Sequence, residues 1–169
     1  MRRKDRELSR EETLTVIRHT PHCVIATVDE FGTPYATPIT AVLFEGAVYF
    51  HSSSDVTGRR YQNALQNDKV SIVWIGRGET AADELPKDFS VNYASAIVEG
   101  RISLVTDEGE KKRVAKAFCL RHVPQAGEEA IDKYYAAGGK YVVFWKVTIG
   151  SLSGKARNKQ GYFNRILAA

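Results

Sequence analysis

The sequence predicts a mainly β protein, an antiparallel barrel of about six strands with flanking helices. Two observations support this prediction. Short apolar segments rich in β-branched residues follow one another with turn residues between them, and the helical segments do not alternate regularly with these strands. Regular alternation builds a doubly wound parallel sheet, so its absence favours an antiparallel barrel. The length of 169 residues fits one domain, taken here as 1–169.

The first element is a helix predicted from about Ser9 to His19. Ser9 and Glu12 have the spacing of a capping box, and an apolar stripe follows them. Pro21 ends the helix because proline cannot continue the hydrogen-bond ladder. Residues 1–20 are therefore interpreted as an N-terminal helical segment.

Beyond this helix the sequence changes to the pattern of strands and short helices. The predicted strands are Cys23–Val28, Tyr35–Phe44, Ala47–His51, Val70–Ile75, Tyr93–Val105 and Tyr141–Ile149. The predicted helices are Gly58–Asn67, Asp107–His122 and Glu128–Ala136. Pro38 lies inside the second strand and has no N–H, which predicts an edge, a bulge or a place where the ladder opens. Gly100 predicts a break or bend in the fifth strand.

Residues 76–92 show little pattern and mixed charge. A loop of this length inside a domain is typically a lid, a binding loop or a disordered segment. The sequence therefore predicts a long loop at 76–92, which is a candidate lid.

The formal charge of +4 lies entirely in residues 151–169, which contain no acidic side chain. The basic residues of this segment are Lys155, Arg157, Lys159 and Arg165. Residues 1–150 contain 20 basic and 20 acidic side chains, so the sequence predicts a local basic tail and argues against nucleic acid as a partner. A nucleic-acid binder that uses the two basic ends is kept as an alternative, and it predicts a steep salt dependence of binding.

Two isolated cysteines, Cys23 and Cys119, provide no disulfide framework and suit a reducing cytoplasm. No apolar run approaches the roughly 20 residues that span a bilayer. The basic start has no apolar segment after it, so it does not resemble a secretory signal. A cytoplasmic protein without membrane contact is expected.

The segment His51–Arg60 is the most informative local feature. A strand ends there in hydroxyl side chains, and a helix begins at Arg59 and Arg60. Because the free N–H groups of a helix start already create positive potential, two arginines at that position favour the binding of an anion such as phosphate. The alternative is that Ser54 or Asp55 caps the helix while both arginines point to water.

Familiar catalytic motifs are missing: the sequence has no Gly-rich dinucleotide loop or P-loop, no GxSxG elbow and no HExxH. His19, His22 and Cys23 are close in sequence, but nothing nearby completes the ligand set that zinc needs, so no metal site is predicted. His51 adjoins the predicted anion site. A lone histidine at a strand end is nevertheless more often packed than catalytic.

Five segments together resemble the pyridoxamine 5'-phosphate oxidase-like, FMN-binding split-barrel proteins. They are YATPIT (35–40), VYFHSSS (48–54), GRRYQNALQNDKVSIVW (58–74), YASAIVEGRI (93–102) and LSGKA (152–156). The resemblance covers nearly the whole chain in consistent order, and within the superfamily it is greatest to the 5-nitroimidazole-resistance group. It implies a six-stranded antiparallel split β-barrel that forms a homodimer.

The resemblance also implies roles for individual residues. In the family, the strand that matches Thr37–Thr40 runs along the flavin ring edge, and the strand end that matches His51 and Ser52 lies beside the ribityl chain and phosphate. The basic pair that matches Arg59 and Arg60 binds the phosphate. The implied cofactor-binding residues are Thr37, Pro38, Ile39, Thr40, His51, Ser52, Arg59, Arg60, Ser95 and Lys155.

Ser95 and Lys155 carry the contribution of the second subunit in this resemblance. Ser95 matches the position from which that subunit usually reaches FMN, and Lys155 matches a recurring GK element at the ligand or the dimer interface. The substrate-phosphate residues of the vitamin-oxidising members have no match here, which argues against pyridoxamine-phosphate oxidation.

The resemblance thus implies a cytoplasmic, homodimeric FMN-dependent oxidoreductase that passes electrons from NAD(P)H to a small electrophile such as a nitroaromatic. His51 is the candidate for a catalytic proton donor. Haem and a deazaflavin are alternative cofactors, because some members of the superfamily bind them in the same groove. A module that binds flavin or haem without turnover is the alternative function.

Overall fold

In the described residues, six strands pair edge to edge into a closed antiparallel barrel. The computed structural model of the chain describes residues 3–82, 84–85, 87–138 and 141–168. The strands are β1 (His22–Val28), β2 (Pro34–Phe44), β3 (Ala47–Ser52), β4 (Lys69–Ala81), β5 (Ser90–Leu104) and β6 (Val143–Ala156). The helices are α1 (Arg10–His19), α2 (Arg59–Gln66), α3 (Glu108–His122), α4 (Glu128–Ala137) and α5 (Lys159–Leu167). The strand order around the barrel is β1-β2-β3-β6-β5-β4, which confirms the predicted fold class.

Alternate side chains of the strands fill the barrel, as the two-residue period of a strand requires. The largest fully buried side chains of this interior include Trp74, Trp145, Phe50, Ile25, Ile72 and Val98. Because the interior is packed with side chains, a ligand of cofactor size has to bind on the outside of the barrel.

Helix α1 begins with the predicted capping box. The Ser9 hydroxyl accepts a hydrogen bond from the Glu12 N–H at 3.2 Å, and the Glu12 carboxylate accepts one from the Ser9 N–H at 2.8 Å. Helix α1 packs on β6, where Thr13 lies so close to Gly154 that a Cβ at that position would overlap the threonine side chain. Within the described part of the chain, no helix has the length and apolar content needed to cross a membrane.

Strand β2 changes partner along its length. Residues 34–40 pair with β1, and residues 41–44 pair with β3. One edge of the 34–40 segment is therefore left open. Pro38 lies in this segment opposite Val24, within an uninterrupted ladder with β1, so of the three alternatives predicted from the proline, the edge is the one observed.

The predicted bend at Gly100 is also present. The pairing of β5 with β6 shifts by one register between Glu99 and Gly100. A Cβ at Gly100 would overlap the backbone carbonyl of Thr148, so the close approach of the two backbones requires glycine.

The prediction of a long loop at 76–92 is wrong for residues 76–81 and 90–92. Strand β4 extends to Ala81 and β5 begins at Ser90, and the two pair from Arg77 opposite Ala94 to Ala81 opposite Ser90, after one bulge between Ile75 and Arg77. The hairpin extends beyond the barrel, so most of its side chains are exposed and the sequence lacks the alternation that identifies a strand with one buried face.

The predicted tail at 151–169 contains regular secondary structure in its described residues. Strand β6 continues to Ala156 and pairs with β5, and α5 follows it. Lys159 forms an ion pair with Glu12 of α1 at 2.6 Å, and Arg165 forms one with Glu79 of β4 at 2.7 Å. Two of the basic residues of this segment, Lys159 and Arg165, therefore link α5 to α1 and to β4.

Helix α3 packs on the outer face of β2 and β3, over a second apolar cluster that includes Val42 and Val114. The Tyr49 hydroxyl donates a hydrogen bond to a Glu110 carboxylate oxygen at 2.7 Å, and Lys146 Nζ donates to the same oxygen at 2.8 Å. Lys146 and Tyr49 lower the pKa of Glu110, whereas burial and the Glu110 contact raise the pKa of Tyr49. These contacts join α3 to two strands of the barrel.

Candidate functional site

The candidate site begins at the end of β3. Phe50 lies in the barrel interior, whereas Tyr49 lies in the cluster beneath α3. The same alternation places Ser52 on the inner side of the strand and His51 on the outer side. The two neighbours that the sequence assigns to one site therefore face different surroundings.

The hydroxyl of Ser52 is already engaged within the barrel. It accepts a hydrogen bond from Trp145 Nε1 at 3.0 Å and donates one to the carbonyl oxygen of Ser53 at 3.0 Å. Its single proton is thus used, and Ser52 donates to a ligand only if its hydroxyl rotates away from Ser53.

Arg60 reaches from the first turn of α2 to the open edge of β2. Its Nη1 donates a hydrogen bond to the Thr37 hydroxyl at 3.1 Å, and its guanidinium lies 5.4 Å from the centre of the Phe50 ring. Burial lowers the pKa of Arg60, although an arginine stays charged throughout the physiological range. The guanidinium of Arg59 lies 4.6 Å from the ring centre of Tyr35. The arginine pair therefore lies beside the segment of β2 that pairs with β1 alone and has no second partner strand.

The loop before α2 leaves the helix start open. The carboxylate of Asp55 accepts hydrogen bonds from the N–H of Thr57 at 2.9 Å and from its hydroxyl at 2.7 Å. The N-cap residue of α2 is Gly58, which has no side chain to cap the helix. Ser54 and Asp55 do not cap α2, so that alternative is wrong, and the first N–H groups of the helix have no side-chain acceptor from the N-cap.

A groove of about 290 Å³ connects these elements. It is lined by His22, Pro38, Ile39, Thr40, His51 and Arg60. The structure therefore brings five of the residues singled out from the sequence into one groove, and Thr37 adjoins it through its hydrogen bond to Arg60.

His51 lies where the groove meets α3. Its ring packs edge-on against Phe118, with centroids 4.8 Å apart. Burial, and secondarily the charge of Arg60, lower the pKa of His51 below its ordinary value of 6.5. At neutral pH the imidazole is therefore mostly neutral, and it can donate or accept one hydrogen bond at each ring nitrogen.

His22 is a groove residue that the sequence analysis considered only as a metal ligand. It pairs with Thr40 across β1 and β2, and its Nδ1 lies 3.4 Å from the Thr40 hydroxyl. The alternation of β1 could have identified it, because Cys23 and Ile25 face the interior and His22 must face outward.

Ser95 and Lys155 lie elsewhere in the chain, opposite each other on β5 and β6. Lys155 Nζ lies 5.6 Å from the ring centre of Tyr93, and Arg6 donates a hydrogen bond to the Tyr93 hydroxyl at 3.3 Å. Burial alone would raise the pKa of Tyr93, but these two cations outweigh it and lower the value. Within one chain neither Ser95 nor Lys155 lines the groove.

The described residues contain no group of three or more His, Cys, Asp or Glu side chains placed to hold a metal ion. Cys23 lies in the barrel interior, where burial raises the pKa of its thiol to about 12. A protonated, buried thiol is neither a metal ligand nor a nucleophile.

The closed ring of six antiparallel strands defines a class of protein, the split barrel. Residues 9–156 match the pyridoxamine 5'-phosphate oxidase family, which is most of the chain. The chain belongs to this family.

Solved structures show the same fold. A protein described as a candidate for 5-nitroimidazole antibiotic resistance, from Bacteroides thetaiotaomicron, superposes with a TM-score of 0.74 and 19% identity over 88% of this chain and 85% of that chain. An FAD and haem binding protein from Mycobacterium smegmatis superposes with a TM-score of 0.71 and 16% identity over 89% and 72% of the two chains. At these identities the similarity demonstrates the fold.

One curated relative is described as a GTPase. The tRNA modification GTPase MnmE of Lachnoclostridium phytofermentans is 29% identical over 114 residues, which are 65% of this chain and 24% of that protein. The chain thus spans about a quarter of the length of the curated relative that it matches. Because the sequence has no GxxxxGK[ST] loop, the match carries no evidence for GTP hydrolysis by this chain.

Proposed function

We propose that the protein is a homodimeric FMN-dependent oxidoreductase that uses electrons from NAD(P)H to reduce a small electrophile such as a nitroaromatic. The arginine pair at the start of α2 carries this proposal. Among the described residues, neither arginine forms an ion pair; Arg59 lies near enough to Asp29 to help lower the pKa of that carboxyl, whereas half-buried Arg60 contacts only the Thr37 hydroxyl and the Phe50 ring. A half-buried guanidinium without a counter-charge favours the binding of an anion.

The residues fit the phosphate of FMN. Arg60 offers a planar fork that can donate two parallel hydrogen bonds to phosphate oxygens, and Arg59 adds a second positive charge. The first N–H groups of α2 point out of the N-terminal end of the helix, where the helix dipole stabilises an anion. Proposed phosphate ligands are therefore Arg60, Arg59 and the helix start, with Ser52 joining only after its hydroxyl rotates.

The open edge of β2 fits the flavin ring system. Residues 34–40 have no second partner strand, so backbone groups from Thr37 to Thr40 are free to face a ligand. Bound FMN would accept electrons and pass them on, which is chemistry that this chain's side chains do not supply. His51, mostly neutral at pH 7, would orient a substrate by a hydrogen bond and is proposed as the proton donor of the site.

An apolar face supports the proposed homodimer. Val24, Val73 and Ile97 are direct neighbours across β1, β4 and β5, and Ile75 of the next row is 66% exposed. Ile75 pairs with Ser95 across β4 and β5, and Ser95 pairs with Lys155 across β5 and β6. We propose that a second copy covers this face, which would bring Ser95 and Lys155 to the groove of the partner.

The dimer is tested with Ile75→Asp, and Phe31→Asp is the matched control because Phe31 is an exposed apolar side chain of the β1–β2 turn. Sedimentation velocity should show a dimer for the wild type and for Phe31→Asp. The Ile75→Asp variant should be a monomer, because a buried charge without a partner is strongly unfavourable. A dimer unaffected by Ile75→Asp would reject this face.

FMN binding is tested first by the absorbance spectrum of freshly purified protein, with mass identification of any released chromophore. This measurement distinguishes FMN from haem, a deazaflavin or no cofactor. Titrations with FMN and with riboflavin then test the phosphate site. Arg60→Ala should weaken FMN binding by about 10–100-fold, the effect of one charged hydrogen-bonding group, and should change riboflavin binding much less.

Arg101→Ala is the matched control for Arg60→Ala, because Arg101 is an exposed arginine paired with Asp68 away from the groove. It should bind FMN like the wild type. Failure of the wild-type protein to bind FMN at all would reject the proposed cofactor, and equal effects of Arg60→Ala on FMN and riboflavin would reject the phosphate contact.

A module that binds flavin or haem without turnover is the second candidate. His22 and His51 both line the groove, and a neutral imidazole nitrogen can ligate haem iron. Steady-state oxidation of NAD(P)H with a nitroaromatic or quinone acceptor separates the two functions. Multiple turnovers support the oxidoreductase, whereas stoichiometric reduction without turnover supports the module.

A further inference from the structure

A second cavity, of about 360 Å³, lies between α3, α4 and the outer side of β3 and β6. Its wall is largely aromatic and aliphatic. Phe118, Tyr134, Tyr135 and Phe144 contribute rings to it, and Ile131 contributes an aliphatic side chain. The volume lies within the range of pockets that hold small organic ligands.

Few polar groups face this cavity. The Tyr135 hydroxyl donates to the Glu108 carboxylate at 3.3 Å and is therefore engaged. His122 also lines the cavity; its Nε2 has no hydrogen-bond partner and is shielded from water, so it reaches a ligand in the cavity only when the ring turns. A buried polar atom left unpaired is unfavourable by about 1–3 kcal/mol, so a ligand that pairs with it is favoured.

We infer that this cavity binds a neutral, planar aromatic molecule that carries one hydroxyl or similar hydrogen-bonding group. The aromatic rings of Phe118, Tyr134 and Phe144 would contact the faces and edges of the ligand. The hydrogen-bonding group of the ligand would pair with His122 Nε2 after the imidazole ring turns toward the cavity. Because a neutral imidazole nitrogen either donates or accepts according to its tautomer, a hydroxyl, which does both, suits either form.

The charge of the lining favours a neutral ligand. No lysine, arginine, aspartate or glutamate lines the cavity in the described part of the chain. Burial lowers the pKa of both His51 and His122, so at neutral pH neither supplies the positive charge that an anion would need. An anionic aromatic would lose its hydration on entry without receiving a compensating charge.

This inference goes beyond the flavin groove of the proposed function. The groove and the cavity share His51 but no other lining residue. The cavity is formed by α3 and α4, whereas the arginine pair lies on α2, so aromatic binding requires neither FMN nor turnover. Its test can therefore succeed or fail independently of the proposed oxidoreductase.

The probe is 2-naphthol, titrated into the full-length protein by calorimetry or fluorescence. Ala130→Phe places a ring in the cavity from an exposed position of α4, and it should abolish saturable binding. Ala136→Phe is the matched control, because Ala136 is an exposed residue of the same helix that does not line the cavity. This control should bind 2-naphthol like the wild type.

Two comparisons test the chemistry of the site. The anion 2-naphthoate should bind at least about tenfold more weakly than 2-naphthol, because the cavity offers no countercharge. His122→Phe keeps a ring but removes the nitrogen, so it should weaken 2-naphthol at least about fivefold and leave 2-methylnaphthalene unchanged or tighter.

Three results would overturn the inference: no saturable binding of 2-naphthol, equal binding by Ala130→Phe, or tighter binding of 2-naphthoate than of 2-naphthol. Self-association that Ala130→Phe removes would also overturn it, since the cavity would then be covered by a second copy. FMN titration of Ala130→Phe should match the wild type, which separates this test from that of the proposed function.

Discussion

The indole N–H of Trp145 donates a hydrogen bond to the hydroxyl of Ser52 at 3.0 Å. Trp145 is fully buried in the barrel, and Ser52 is the last residue of β3. The polar atom of one of the two interior tryptophans is thus paired at the edge of the candidate site. Ser52 consequently stabilises the barrel whether or not it contacts a ligand.

Ser52→Ala should therefore reduce stability. It leaves the indole N–H unpaired, and the expected loss in the free energy of unfolding is about 1–3 kcal/mol, measured by urea denaturation of the ligand-free protein. Ser54→Ala changes an exposed serine of the loop that follows β3 and should stay within about 0.5 kcal/mol of the wild type. Equal stability of the two variants would mean that the Trp145 contact contributes nothing.

Glu110 should be a key residue for the attachment of α3. One of its carboxylate oxygens accepts from both Tyr49 and Lys146, and Tyr49 is buried. Glu110→Ala leaves the tyrosine hydroxyl and the ammonium without this acceptor. The expected loss in the free energy of unfolding is about 1.5–3 kcal/mol, the range for hydrogen bonds to a charged group.

Glu129→Ala is the control for Glu110→Ala, because Glu129 pairs with Lys133 on the exposed face of α4. An exposed pair contributes little, so this variant should lose no more than about 0.5 kcal/mol. If both variants were destabilised equally, the position of Glu110 between α3 and the barrel would have no special role.

The sequence predicted the elements that have one buried face or a clear cap. Helix α1 follows from Ser9 and Glu12, and α3 follows from Asp107, whose carboxylate accepts from the Glu110 N–H at 2.6 Å. The arginine pair was found because positive charge at a helix start is electrostatically unfavourable unless an anion binds there. These features depend on residues that are close in the sequence, so a local sequence pattern is enough to predict them.

The features that were missed depend on tertiary contacts. The β4–β5 hairpin beyond Ile75 has no buried face, so its residues carry no alternation. Helix α5 has Asn158 as its N-cap, a residue in the left-handed region whose side chain accepts a hydrogen bond from the Gly161 N–H, and the sequence interpretation included this segment in a tail. The cavity beneath α4 arises from the spacing between helices, which no local pattern specifies.

Two glycines provide a sharp test of the barrel geometry. A Cβ at Gly100 would overlap the Thr148 carbonyl, whereas a Cβ at Gly78 would contact nothing. Gly100→Ala should therefore cost about 1–3 kcal/mol or more, because the backbones of β5 and β6 must separate. Gly78→Ala should be neutral or slightly stabilising, since alanine loses less backbone entropy. Thermal melts of the two variants check this, and a loss at Gly78 matching that at Gly100 would contradict it.

Two imidazoles should make stability depend on pH above the range where carboxylates titrate. Burial lowers the pKa of His51, with a further effect of Arg60. Burial also lowers that of His122, with further effects of Arg121, His22 and His51 that outweigh a hydrogen bond with the Ala41 backbone. The unfolded chain therefore binds more protons than the folded chain just below pH 6.5.

The free energy of unfolding should therefore decrease as the pH decreases. The contribution of both imidazoles is fully present above their ordinary pKa of 6.5 and is lost as the pH falls through that value. Urea denaturation of the wild type at pH 7.5 and 5.5 should show lower stability at pH 5.5. Between these pH values, the free energy of unfolding of the double variant His51→Gln/His122→Gln should fall by roughly half or less of the wild-type decrease. Between pH 7.5 and 8.5 the free energies of unfolding of the two proteins should change by the same amount. A wild type that is more stable at pH 5.5, or a double variant with the full wild-type loss, would show that these two imidazoles are not held neutral by the fold.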